Sequence, residues 1–176
     1  AFQLPADSKY RHGPVTGPKE KMLMNHDSIK HLLADVEWDL HPGALTTYGD
    51  WAVENQEEFA HSAAQRLPLV KEACASGKYN AVVLLGGGEP GFMESREIAR
   101  KYGIAVSSCA FSQMHVASML GNKFSVIDFA ESHNMYYHDL VVRHRFADRC
   151  ASIRCVNYYH ARPGHADEST MADERE

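Results

Sequence analysis

The residues that most suggest chemistry lie at 86–91, Gly-Gly-Gly-Glu-Pro-Gly, directly after the apolar run 81–85. Gly86, Gly87 and Gly88 present backbone N–H groups that no side chain shields. Glycine suits a conformation or a close ligand approach that a β-carbon would forbid. If a strand ends there and a helix follows, the bare amides and the helix N-terminus together favour an anion, a carboxylate or an enolate oxygen. Pro90 suits the helix entry, where its missing N–H is no loss. Glu89 repels an anion unless its carboxylate turns away. A tight turn packing helix on sheet is the plain alternative and carries about equal weight. There is no G-x-G-x-x-G in register and no Lys-Ser/Thr after the glycines, so neither a dinucleotide fingerprint nor a P-loop is present.

Thiols and imidazoles form the second group. Cys74, Cys109, Cys150 and Cys155 include no CxxC pair, which points to reduced thiols rather than a disulfide framework. Cys109 closes the stretch "AVSSC" beside Ser107 and Ser108, where a strand end can deliver it to a cleft; a small buried hydrophobe is the competing reading. Cys74 falls on an apolar helix face, and Cys150 and Cys155 flank a strand. All three read as core. The chain holds 11 histidines. Glu89, Asp128, Glu131, His133 and His138 offer oxygen and imidazole donors to a metal. Yet His133 and His138 are five apart and share no helical face, and no HExxH is present. No metal or cofactor is therefore expected.

These residues need a scaffold. Residues 1–18 carry three prolines and two glycines and read as loop. A broken helical pattern follows over 19–36, and "VEWDL" (36–40) alternates like a strand. Residues 50–76 read as helix, broken into two pieces around Pro68, with Gly77 at its C-terminal end. Then come strand 79–86, helix 91–102, strand 104–109, helix 112–121, strand 123–129, helix 134–146 and strand 151–157. This alternation predicts βαβ units and parallel sheets with flanking helices, an α/β fold. The tail 161–176 is polar.

Composition narrows the function classes. The 176 residues are 44% hydrophobic, enough for a core, with a formal charge of −5 and scattered basic residues. That argues against nucleic acid as a partner. No apolar run approaches membrane-spanning length, and no signal-peptide pattern opens the chain, so the expected location is cytoplasmic.

From "NAVVLLGGGEPGF" through "ESREIARKYGI", "MHVASMLG", "KFSVI" and "FADRCASIRCVN", residues 50–157 resemble the aspartate/glutamate racemase superfamily, in particular its hydantoin and allantoin racemases. The resemblance implies a two-lobed α/β architecture with the site between lobes. The expected division is 1–110 as the first lobe with the glycine loop, 111–160 as part of a second and incomplete lobe, and 161–176 as tail or a further helix. It also implies cofactor-free proton transfer by one thiol per lobe at an enolisable carbon. The position of the first thiol matches Gly86, and the second would follow a later strand than any in this sequence. Arylmalonate decarboxylases in the superfamily share the glycine, which keeps a lyase in view beside an isomerase. The family reads its substrate at the loop 128–133, which brings in Asp128, Ser132 and His133, and places His115 next to the cleft. The expectation is an enzyme acting on a small carboxylate or a hydantoin-like carbon acid. Cys109 and His133 are its catalytic candidates, and Gly86, Gly87, Gly88, Glu89, Asp128, Ser132 and His115 its binding residues. The alternatives are a non-catalytic carboxylate-binding subunit and a metal-dependent lyase. An open sheet edge predicts a homo-oligomer.

Overall fold

The computed structural model describes residues 31–39, 55–128 and 131–156. Contacts divide the chain into two units, one of residues 1–51 with 161–176 and one of residues 52–160. In the first unit the described residues show only a short 3-10 turn at 31–33, and 36–39 form no strand, contrary to the alternating pattern of "VEWDL". Alternation alone makes no strand where no partner strand completes the ladder. Residue 40, the expected helix over 19–36 (apart from its last residues) and the tail 161–176 lie outside the described residues.

The second unit holds, in order, α1 (Gln56–Ala75), β1 (Ala81–Leu84), α2 (Phe92–Arg100), β2 (Ala105–Ser108), α3 (Cys109–Leu120), β3 (Phe124–Asp128), α4 (Asn134–Arg143) and β4 (Cys150–Cys155). Short 3-10 turns at Glu131–His133 and Ala147–Arg149 lead into α4 and β4. This is the α/β alternation expected from the sequence. β1 pairs with β2 and β3 with β4, both in parallel, so each pair is joined through a helix as parallel strands require.

Local chemistry explains most boundaries. The Asn55 side chain accepts the Glu58 N–H at 3.0 Å and starts α1. Gly77, in the left-handed region at φ +69°, lies just past its end. α1 runs unbroken through Pro68 instead of splitting there. Pro68 and Ala64, the residue whose carbonyl loses its partner, are both exposed, so water can satisfy that carbonyl.

Each sheet has its own core. Val70, Cys74, Leu84, Phe92 and Ala99 bury together under β1–β2, with Val82, Ile98, Ile104 and Val106 against them. Ala110, Met114, Tyr137, Leu140 and Val141 bury together by β3–β4, with Phe124, Val126, Phe146 and Ile153. Cys74 is core as expected, Cys150 and Cys155 are half-buried, and no disulfide forms among the described residues.

Candidate functional site

The β1–β2 register ends with Leu84 beside Ser108. The chain therefore leaves β1 into the glycine loop at the same level at which it leaves β2 into α3, whose first residue is Cys109. The carboxyl ends of parallel strands are where α/β folds place their ligands.

The three glycines do different jobs. Gly86 and Gly87 are exposed, while Gly88 is buried. A β-carbon on Gly88 would collide with the Phe59 ring, and the Gly88 carbonyl accepts the Tyr136 hydroxyl at 2.6 Å. Gly88 is a packing glycine, and the exposed part of the loop narrows to Gly86 and Gly87. Gly86 has φ +111°, a value closed to most side chains. A β-carbon on Gly87 would sit 3.1 Å from the Tyr137 hydroxyl, so backbone and phenol approach closely there. Gly91, at φ +78°, brings the start of α2 against Ala63 of α1, within 3.3–3.4 Å of where a β-carbon would be.

Arg66, on α1, closes the loop from inside. Its guanidinium donates to the Pro90 carbonyl at 2.9 Å and to the Leu85 carbonyl at 3.0 Å, gripping both ends of the loop. Burial pushes its pKa down, against the opposing pull of Tyr136, Cys109 and Glu89, which lie within electrostatic reach. A cation thus stands beside Gly86 and near the Cys109 thiol. Sequence reasoning missed Arg66, which looks like any polar residue on a long helix.

Glu89 does turn away from the loop mouth. Its side chain is buried, and its carboxylate accepts from the Ser108 hydroxyl and from the Phe111 N–H at 2.9 Å, while His144 Nε2 meets its other oxygen. Phe111 is the third residue of α3, so Glu89 caps this helix from a different segment of the chain. That explains why α3 begins at Cys109, three residues before the expected Ser112. Ser108 gives its hydroxyl to Glu89 rather than to its own helix, and Ser112 bonds Ser107 at 2.7 Å. Glu89 is accordingly braced by three partners inside the protein. His144 was not foreseen; 55 positions separate it from Glu89.

At the end of β3, His133 Nδ1 meets Asp128 Oδ2 at 2.5 Å. The His133 ring is buried, edge-on to Phe59 at 5.2 Å and to Tyr137 at 6.2 Å. The Tyr137 hydroxyl also bonds Asp128. Burial first, then the Asp128 charge, holds the Tyr137 pKa far above its ordinary value. Tyr136 stacks on Phe59 at 3.8 Å and 5°, and burial pushes its hydroxyl up to about 12. His133 thus sits buried between Asp128, Phe59 and Tyr137. Ser132 is exposed on the same turn. His115 is exposed on α3, bonded to its own helix through the Phe111 carbonyl at 2.8 Å and edge-on to Phe146 at 4.8 Å. Cys109 is half-buried at the start of α3. Among the described residues no three His, Cys, Asp or Glu side chains gather as a metal site would need, and no helix is long and apolar enough to cross a membrane.

The chain ends of β1, β2 and β3 therefore carry an exposed pair of glycines, a cation, a thiol and two buried carboxylate–histidine braces. No family model matches the sequence, and no curated protein sequence matches it. The fold is similar to that of a racemase. The solved structure of allantoin racemase from Klebsiella pneumoniae superposes with a TM-score of 0.56 at 22% sequence identity, over 70% of this chain. The match covers 48% of the racemase, so the chain spans about half the length of that relative. At this identity the likeness speaks for the fold.

Proposed function

We propose that this protein is a cofactor-independent, racemase-like enzyme that moves a proton at an enolisable carbon of a small carboxylate or hydantoin-like compound. What supports the reading is one convergence. The exposed amides of Gly86 and Gly87, the Arg66 guanidinium and the Cys109 thiol all lie where adjacent parallel strands β1 and β2 end, in a fold similar to allantoin racemase. In this reading the glycine amides and Arg66 stabilise the negative oxygen that develops as the C–H bond breaks. Cys109, reacting as its thiolate, takes the proton: the electron pair of the C–H bond stays on the substrate as the enolate, and the sulfur becomes the thiol. Return of the proton to carbon restores the thiolate and completes the exchange. The Asp128–His133–Tyr137 group holds the opposite wall through Tyr137, whose hydroxyl lies beside Gly87.

The test is solvent deuterium wash-in at the α-carbon of 5-methylhydantoin and N-carbamoylalanine, followed by proton NMR against a protein-free blank. Exchange above the blank that disappears in Cys109→Ala is the expected result. Exchange unchanged by Cys109→Ala removes the thiol from the mechanism, and no exchange removes the activity.

A second reading is favoured by Gly86, which leaves the tip of β1 without a thiol. One thiol serves one face of a substrate, which suits one-sided protonation in a lyase, or carboxylate binding without turnover. Carbon dioxide release from phenylmalonate marks the lyase; saturable carboxylate binding with neither exchange nor release marks the binder.

A further inference from the structure

Arg66 carries more than its bracing of the loop requires. A guanidinium has more N–H donors than two carbonyls can use, and the Leu85 and Pro90 carbonyls are the acceptors it has among the described residues. No carboxylate there stands within ion-pair distance of it. The nearest acid in electrostatic reach, Glu89, already receives Ser108, Phe111 and His144. Asp128, the acid at the end of β3, receives His133 and Tyr137. Glu89 and Asp128 are thus matched inside the protein, while Arg66 is a half-buried cation with no counter-ion among the described residues. Burial works against its charge, and an incoming anion would relieve that cost. It stands next to Gly86, where even a β-carbon would come no closer than 4.0 Å to its Nη2, so the approach along the glycine is open.

We propose that Arg66 is the specificity residue of this site, pairing with the carboxylate of an open-chain substrate and so selecting carboxylate anions over neutral hydantoin-type rings. This rests on the proton-transfer site described above and narrows its substrate class. Two of the guanidinium N–H groups stay on the loop carbonyls, and the remaining edge takes the carboxylate, in the geometry that arginine and carboxylate share. The α-carbon then lies between the glycine amides and Cys109. A neutral ring offers no charge in return and leaves the cation uncompensated.

The experiment compares two ligands of one skeleton, N-carbamoylalanine, which bears a free carboxylate, and 5-methylhydantoin, its neutral cyclic form. Affinities are measured by ligand-observed NMR or calorimetry at pH 6.5 on the wild type, Arg66→Lys and Arg66→Gln, with a thermal melt of each. The expected preference for the carboxylate is about tenfold or more in the wild type, as for one charge-assisted contact. It persists in part in Arg66→Lys, vanishes in Arg66→Gln, and shrinks in high salt. A purely structural Arg66 would lower the melting temperature in both variants without changing the ratio of the two affinities, and that outcome overturns the assignment. Equal or tighter binding of the hydantoin by the wild type overturns it too, while sparing the proton-transfer site. Binding of neither ligand overturns both. Should Arg66→Gln fail to fold, the ratio in Arg66→Lys decides: a carboxylate preference indistinguishable from that for the hydantoin in a folded Lys variant contradicts a charge-based role.

Discussion

Two buried carboxylate–histidine pairs stand at strand ends of this protein, and they hold the chain in different ways. Asp128 and His133 lie five positions apart and tie the end of β3 to the 3-10 turn that leads into α4. Glu89 and His144 lie 55 positions apart and tie the glycine loop after β1 to the end of α4, while Glu89 also caps α3. The same chemistry thus serves as a local clamp in one place and as a bolt between two cores in the other. What a pair fixes depends on the length of chain it closes.

The strongest way to break this contrast is His144→Leu, which leaves the Glu89 carboxylate buried without its imidazole. Removing one partner of a buried pair costs roughly 3–5 kcal/mol, and denaturant unfolding should show a loss of that order. The double variant Glu89→Leu/His144→Leu should lose less than the sum of the two single changes, because no orphan charge remains. Additive losses would mean that the two residues do not act as a pair.

Asp128→Asn should cost less, about 1–3 kcal/mol. Its amide exchange should quicken mainly over residues 131–140, with the β1–β2 half protected as before. Loosening spread evenly over both halves would erase the distinction between clamp and bolt. Gly88→Ala sharpens the comparison at the seam where Phe59 and Tyr136 stack. A methyl group there must displace the Phe59 ring, for about 1–3 kcal/mol by overpacking. Tyr136→Phe removes one hydroxyl bond to the Gly88 carbonyl and should cost about 1 kcal/mol in thermal or denaturant unfolding.

Tyr136 also sets a pH dependence. Its folded pKa, pushed up to about 12 by burial, exceeds the unfolded value of about 10. The folded state therefore keeps a proton that the unfolded chain gives up. The associated stability is fully present below about pH 10 and drains as pH climbs through the folded value. Stability measured from pH 9 to 12 should fall more steeply in the wild type than in Tyr136→Phe.

How much of this was legible beforehand follows from the range of each interaction. The alternation of strands and helices over 79–157 could be read because continuous apolar runs such as "AVVLL" and the glycines at 77, 103 and 121 mark elements locally. The start of α3 was misplaced because its cap comes from Glu89, 22 residues away from Phe111, and no local pattern records that. The break expected at Pro68 failed because the freed carbonyl faces water. At the site, the glycine loop announced itself by composition, yet the division of labour between Gly86, Gly87 and Gly88 depends on Phe59 and Tyr137, far off in the chain. Arg66 and His144 were invisible for the same reason: a polar residue on a helix or at its end looks solvated until its partners are known. His133 and Glu89 were noticed for their chemistry, but their burial and the partners that hold them could not be read locally.

Anion binding at the β1 tip is the point on which the proposed chemistry depends. The most direct measurement is a nitrogen–proton correlation spectrum of the labelled protein titrated with N-carbamoylalanine. Saturable shifts largest at the Gly86 and Gly87 amides and at the Arg66 side chain, with Gly88 moving less, are the predicted result. Shifts that leave those three groups still while others move, or no saturable shift at all, would contradict it.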